Sequence, residues 1–167
     1  MIETLQNLLT AQGPYLAAAV YCFLGGLFPL LNTELFIAVL GGMTAKDPGK
    51  LFMVAIAAGV GRMLGKTVLY YSVQKGLNVG IKPHSKLGAG LQKWHNKIEK
   101  MPHSRIYLLT LTGSATGLPP MYLLTLALGA LKIDWKPHFF IGILGSTLKY
   151  AFFFGIGTEL VKWIKQF

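Results

Sequence analysis

Polar and apolar positions fall into long blocks along this chain. Apolar runs occupy 14–31, 33–45, 51–73, 106–118, 120–131 and 138–158. A helix needs about 20 apolar residues to cross a bilayer, so 51–73 and 138–158 are predicted to cross alone. The other four runs form two pairs, each split by helix breakers: FPLLNT at 28–33 and GSATGLPP at 113–120. Runs too short to span are typical of re-entrant segments. Each pair is therefore expected to form a broken re-entrant hairpin, with Pro29 and Asn32 in the first break and Pro119 and Pro120 in the second.

The same order of elements occurs twice. Displaced by 87 residues, Gly42 falls on Gly129, Asp47 on Asp134 and Arg62 on Lys149. The expected fold class is an all-α integral membrane protein of two pseudo-repeats, each an amphipathic helix, a broken re-entrant helical hairpin and one full transmembrane helix. It would be a single membrane domain over 1–167: repeat 1 at about 1–75, a cytoplasmic amphipathic connection at about 76–104, and repeat 2 at about 105–167. Within the connection, Leu87, Leu91, Trp94, Ile98 and Met101 recur at helical spacing with lysines off that face. Such a helix suits the membrane interface.

Composition agrees with membrane. Hydrophobic residues make up 53% of the chain and charged residues only 13%, and mean hydropathy is +0.50. That is about half the charged share of an average soluble domain. Disorder, which needs low hydrophobicity and high charge, is excluded. The net charge of +10 would suggest nucleic acid in a soluble protein. Here the basic residues flank apolar runs, so anionic lipid is the expected partner, with no nucleic acid. Nine basic residues lie in 74–105 and the turn at 132–137, against four at 46–50 and 162–165. The positive-inside rule then puts 74–105 in the cytoplasm of a multi-pass protein of the cell membrane, with both termini outside. The start of the chain has no basic segment, so no cleaved signal peptide is expected. The single cysteine, Cys22, allows no internal disulfide.

Ionisable groups inside apolar runs are costly and tend to face a cavity. Glu34, Arg62, Lys66 and Lys149 are such groups and form the candidate substrate- or proton-binding set. Glu34 follows the first break, where Asn32 or Thr33 can cap the next helix and an acid complements its dipole. Arg62 and Lys66 share a helix face, so a counter-ion is expected. Three cations against one acid suit an anionic group such as phosphate. Gly61 with Gly65, and Gly41, Gly42 and Gly129, are expected to allow close helix packing. Trp135 and Trp163 flank the last span as expected interface anchors. No hydrolase, nucleotide-binding or metal-ligand motif is present, and His84, His95, His103 and His138 lack metal-site spacing. The chain is expected to be neither an enzyme nor a binder of metal or cofactor.

Residues 28–76 resemble the first half of the DedA family, also called the VTT or SNARE-associated Golgi protein domain. Pro29, Glu34, Gly41, Gly42, Gly65, Tyr70 or Tyr71, and Gly76 carry the likeness. Residues 113–150 resemble its second hairpin and span through Pro119, the small pair Gly129-Ala130, and Phe139 or Phe140. The resemblance implies two re-entrant hairpins meeting in the membrane and movement of lipids between leaflets, polyprenyl phosphate or phospholipid. The chain departs from the pattern in three places. The region just before the first break, Tyr21-Cys22-Phe23-Leu24, has no acid, Lys66 stands where the family has an aspartate, and ATGLPPMY at 115–122 lacks the family's hairpin arginines. The expected function is movement of an anionic, phosphate-bearing lipid as a scramblase or flippase, with membrane lipids and a second copy in a homodimer as the expected partners. The alternatives are a proton-coupled exporter of small molecules or drugs, and a membrane scaffold that transports nothing.

Overall fold

The computed structural model describes residues 2–44, 48–75, 93 and 96–164. Among them, six helices of ten residues or more follow in order: α1 Ile2–Leu27, α2 Thr33–Thr44, α3 Pro48–Gln74, α4 His103–Thr116, α5 Met121–Ala130 and α6 Trp135–Ile164. A single helical turn covers 96–99, and no strand occurs among the described residues. Two stretches are long and apolar enough to cross a membrane, Gly49–Gln74 and Trp135–Ile156. They coincide with the two long apolar runs. Most of the amphipathic stretch at 84–101, and most of the basic segment 74–105, lie outside the described residues. Ile98, on the predicted apolar face, is buried, while Lys93 and Lys97 are exposed.

The first element differs from expectation. An amphipathic helix followed by a separate apolar arm is predicted, but α1 runs unbroken through Pro14. Proline removes one backbone donor and presets a helical φ, so neighbouring turns can carry the helix past it. The chain breaks instead at 28–32, where Phe28-Pro29-Leu30-Leu31 is exposed and Asn32 begins the next helix.

Small residues set the packing. A β-carbon on Gly61 would collide with the Ala19 carbonyl, and one on Gly65 with that of Phe23, so α3 lies backbone to backbone on α1. Both contacts advance in the same sense, and the two helices run parallel. In the second half Thr110 meets His138, Ser114 meets Gly145, and Gly117 lies by Lys149. Hence α4 and α6 are also parallel. The long helices cross in opposite senses, since Thr67 meets Trp135, Met63 meets Gly142 and Gly59 meets Thr147.

The short helices pack across the halves. α2 lies on α6, through Thr33 with Tyr150 and Gly41 with Phe154. α5 lies on α3, through Tyr122 with Lys66 and Gly129 with Tyr70. Each short helix runs parallel to the long helix of the opposite half, and so antiparallel to its own. Two apolar clusters follow from this exchange. One gathers Met63, Tyr70, Leu124, Leu128 and Trp135, and the other Ala18, Cys22, Ile37, Tyr150 and Phe154.

Trp135 corrects an expectation. It is 4% exposed, stacks on Tyr70 and donates its indole N–H to Thr67 Oγ1 at 2.8 Å. It is a core residue rather than an interface anchor, because the partner its N–H needs is supplied by α3. The side chain of Trp163 is outside the described set. In the aromatic cluster at 150–154, Tyr150 and Phe154 are buried and Phe152 is exposed.

Candidate functional site

The first break builds one half of the site. Asn32 Oδ1 accepts the backbone N–H of Leu35 at 3.0 Å, capping α2. Glu34 sits in the first turn, where the helix dipole favours a carboxylate. Its neighbour Thr33 is buried and donates to Glu34 Oε2 at 3.2 Å. The cap residues thus aim the Glu34 carboxylate away from its own helix and toward α3 and α6.

The long helices bring the cations. Lys149 Nζ forms an ion pair and hydrogen bond with Glu34 Oε1. Arg62 Nη1 lies 3.7 Å from the same oxygen and donates to Tyr150 Oη at 3.2 Å. Tyr150 Oη in turn donates to Thr33 Oγ1 at 3.3 Å. The guanidinium carbon also lies 5.9 Å from the Tyr150 ring centre. The Lys149 side chain is 8% exposed, that of Arg62 14% and that of Glu34 28%. Charges so far withdrawn from water need partners. One carboxylate serves two cations, leaving the cluster one positive charge in excess.

The second break reaches the same point from the other side. α4 ends on Gly117, whose φ of +86° closes the helix in the left-handed region. A β-carbon there would lie 3.7 Å from Lys149 Nζ. Gly117 therefore gives the strained turn at low cost and leaves Lys149 uncrowded. Next come a cis Leu118–Pro119 peptide and Pro120, which opens α5. A cavity of about 630 Å³ opens here, with Glu34 and Lys149 at its polar end and Ala115, Leu148, Phe152 and Phe153 among its walls.

The predicted residues divide into groups. Glu34, Arg62 and Lys149 come together. Lys66 does not join them: one turn beyond Arg62 on α3 it is 3% exposed, with its ammonium 5.0 Å from the Tyr122 ring centre. Among the described residues no carboxylate lies within 4 Å of it. Pro29 is exposed in the first break, and Asn32 caps α2. Pro119 and Pro120 form the second break. Gly41 packs on Phe154, Gly61 and Gly65 on α1, and Gly129 on Tyr70. Gly42 lies within α2.

Three participants escape a reading of the sequence as periodic blocks: Gly117, Tyr122 and Tyr150. Tyr150 is hidden in an aromatic run, and its position next to Lys149 is the one signal that marks it. Among the described residues no group of His, Cys, Asp and Glu could hold a metal ion.

No protein family, curated protein or solved structure matches this chain. The likeness to the DedA family rests on the residues that carry it.

Proposed function

We propose that this protein is a multi-pass transporter of the cell membrane that moves an anionic, phosphate-bearing lipid between leaflets, as a DedA/VTT-like scramblase or flippase. The observation that carries the reading is the Glu34–Lys149–Arg62 cluster beside a 630 Å³ cavity. Glu34 and Lys149 at the polar end, Arg62 paired behind Glu34, and walls of leucine and phenylalanine support an amphiphile with an anionic head.

The helix directions support the rest. α2 runs against α1 and α5 against α4, which supports two pairs that each turn back within the membrane. α3 and α6 cross in opposite senses, and each short helix lies on the long helix of the other half. These directions support an inverted repeat, in which interrupted helices would meet at mid-membrane. Irregular backbone at that depth is tolerated only inside protein or beside a water-filled space, and the cavity adjoins the breaks through Glu34 and Thr116. The cluster's one excess positive charge disfavours export of a cationic drug, since the one acid is already paired with Lys149 and Arg62.

Reconstituted liposomes carrying trace headgroup-labelled lipids, both phospholipid and polyprenyl phosphate, test the proposal. A membrane-impermeant quencher reports leaflet accessibility. Wild-type protein is expected to expose inner-leaflet label, and Glu34→Ala and Arg62→Ala to lose that activity while remaining folded. Absence of movement of any label by folded wild-type protein would overturn the reading.

A further inference from the structure

The two helices that begin at mid-chain breaks are finished differently. α2 has its own cap in Asn32 and its own carboxylate in Glu34. α5 has neither: Pro120 makes no side-chain cap hydrogen bond, and no acid stands in the first turn. Its first helical hydrogen bond is Leu124 N–H to Pro120 O at 3.2 Å. The N–H groups of Met121, Tyr122 and Leu123 precede it, at the positive end of the helix dipole.

Lys66 reaches the side chain of a residue in this same turn. It is 3% exposed, and its ammonium stands 5.0 Å from the ring centre of Tyr122, the second residue of α5. No hydrogen-bond acceptor or carboxylate engages that ammonium among the described residues, and its charged neighbour on the α3 face is the cation Arg62. A cation–π contact offsets only part of the loss of water. Arg62 is already committed to Glu34 and Tyr150. A buried cation without an acidic partner therefore stands over the Tyr122 ring at an uncapped helix start, and one negative group would satisfy both.

We infer that Lys66 and the first turn of α5 form an anion-binding site, separate from the Glu34 cluster, that takes a phosphate group. Lys66 supplies the charge, and the backbone N–H groups of 121–123 hold the oxygens. The shared chemistry is a phosphate oxyanion, whether free in solution or on a lipid head. The inference does not depend on lipid movement.

Nuclear magnetic resonance on the full chain with ¹⁵N-tyrosine tests it, the Tyr122 amide being assigned through Tyr122→Phe. One arm titrates inorganic phosphate into protein in neutral detergent. The other compares nanodiscs of phosphatidylcholine alone with nanodiscs also containing phosphatidylglycerol. The Tyr122 amide is expected to shift saturably in at least one arm. A shift with inorganic phosphate identifies a free anion, and a shift only with phosphatidylglycerol identifies a headgroup. Lys66→Gln should weaken the response roughly ten- to hundredfold, the loss of one charged hydrogen-bond donor, and Lys66→Arg should keep it. The arginine variant keeps the test valid if the glutamine variant does not fold. No shift in either arm overturns the site, as does an equal response in Lys66→Gln.

Discussion

The two breaks solve one problem in opposite ways. Each starts a helix after prolines in an apolar stretch, where unpaired backbone groups are expensive. The first is closed from within: Asn32 caps α2, Glu34 complements its dipole, and Lys149 and Arg62 complement Glu34. The second is left open: α5 has no cap, no acid, and a buried lysine facing its first turn. A closed polar cluster orders two halves of a molecule. An open one calls for a ligand. The first break thus reads as a structural junction whose Glu34 also lines the cavity, and the second as the place proposed to bind an anion.

The largest expected effect tests the closed side. Glu34→Ala strands Lys149 and Arg62 in a protein interior, and should cost about 3 kcal/mol of stability, the lower end for breaking a buried pair because Glu34 is partly exposed. Adding Lys149→Met should recover much of that loss, with lipid movement still absent. Denaturation in mixed micelles measures both. A double variant no more stable than the single would mean that the pair is not the cost.

The open side predicts the reverse sign. Lys66→Met in phosphate-free detergent should raise stability by roughly 1–3 kcal/mol, because an unpaired buried charge is removed. Saturating phosphate should shrink that gain by stabilising wild type alone. Equal gains with and without phosphate would argue that the second break is only a structural turn.

Two smaller effects sharpen the contrast. Gly117→Ala forces a side chain into φ +86° and should cost about 1–2 kcal/mol, and its β-carbon adjoins Lys149. Asn32→Ala removes the α2 cap and should cost about 1 kcal/mol. Because the cap also aims Glu34, the expected readout is slower lipid movement at nearly full thermal stability.

Much of this was legible in the linear pattern. Apolar runs of about 20 residues mark α3 and α6 because bilayer thickness sets helix length. Prolines and glycines mark the breaks because they deny the backbone its hydrogen bonds or its preferred φ. Glu34, Arg62, Lys66 and Lys149 stand out because charge is rare in such runs. Continuity of α1 through Pro14 was not legible, since tolerance of a proline depends on what supports the turns around it. Nor was the burial of Trp135, whose partners Thr67 and Tyr70 lie on another helix.

The sequence by itself determined that this chain is helical, that two segments are long enough to span a membrane, and which few residues carry charge inside apolar runs. Only the tertiary structure decided that Lys149, 115 positions away, takes Glu34 while Lys66 faces the other break. The reason is physical. Hydrophobic length and backbone propensity act within a segment and can be counted along the chain. Pairing of buried charges depends on which helix backbones approach closely enough, and that is set by small residues such as Gly61, Gly65 and Gly145 meeting partners far away in sequence.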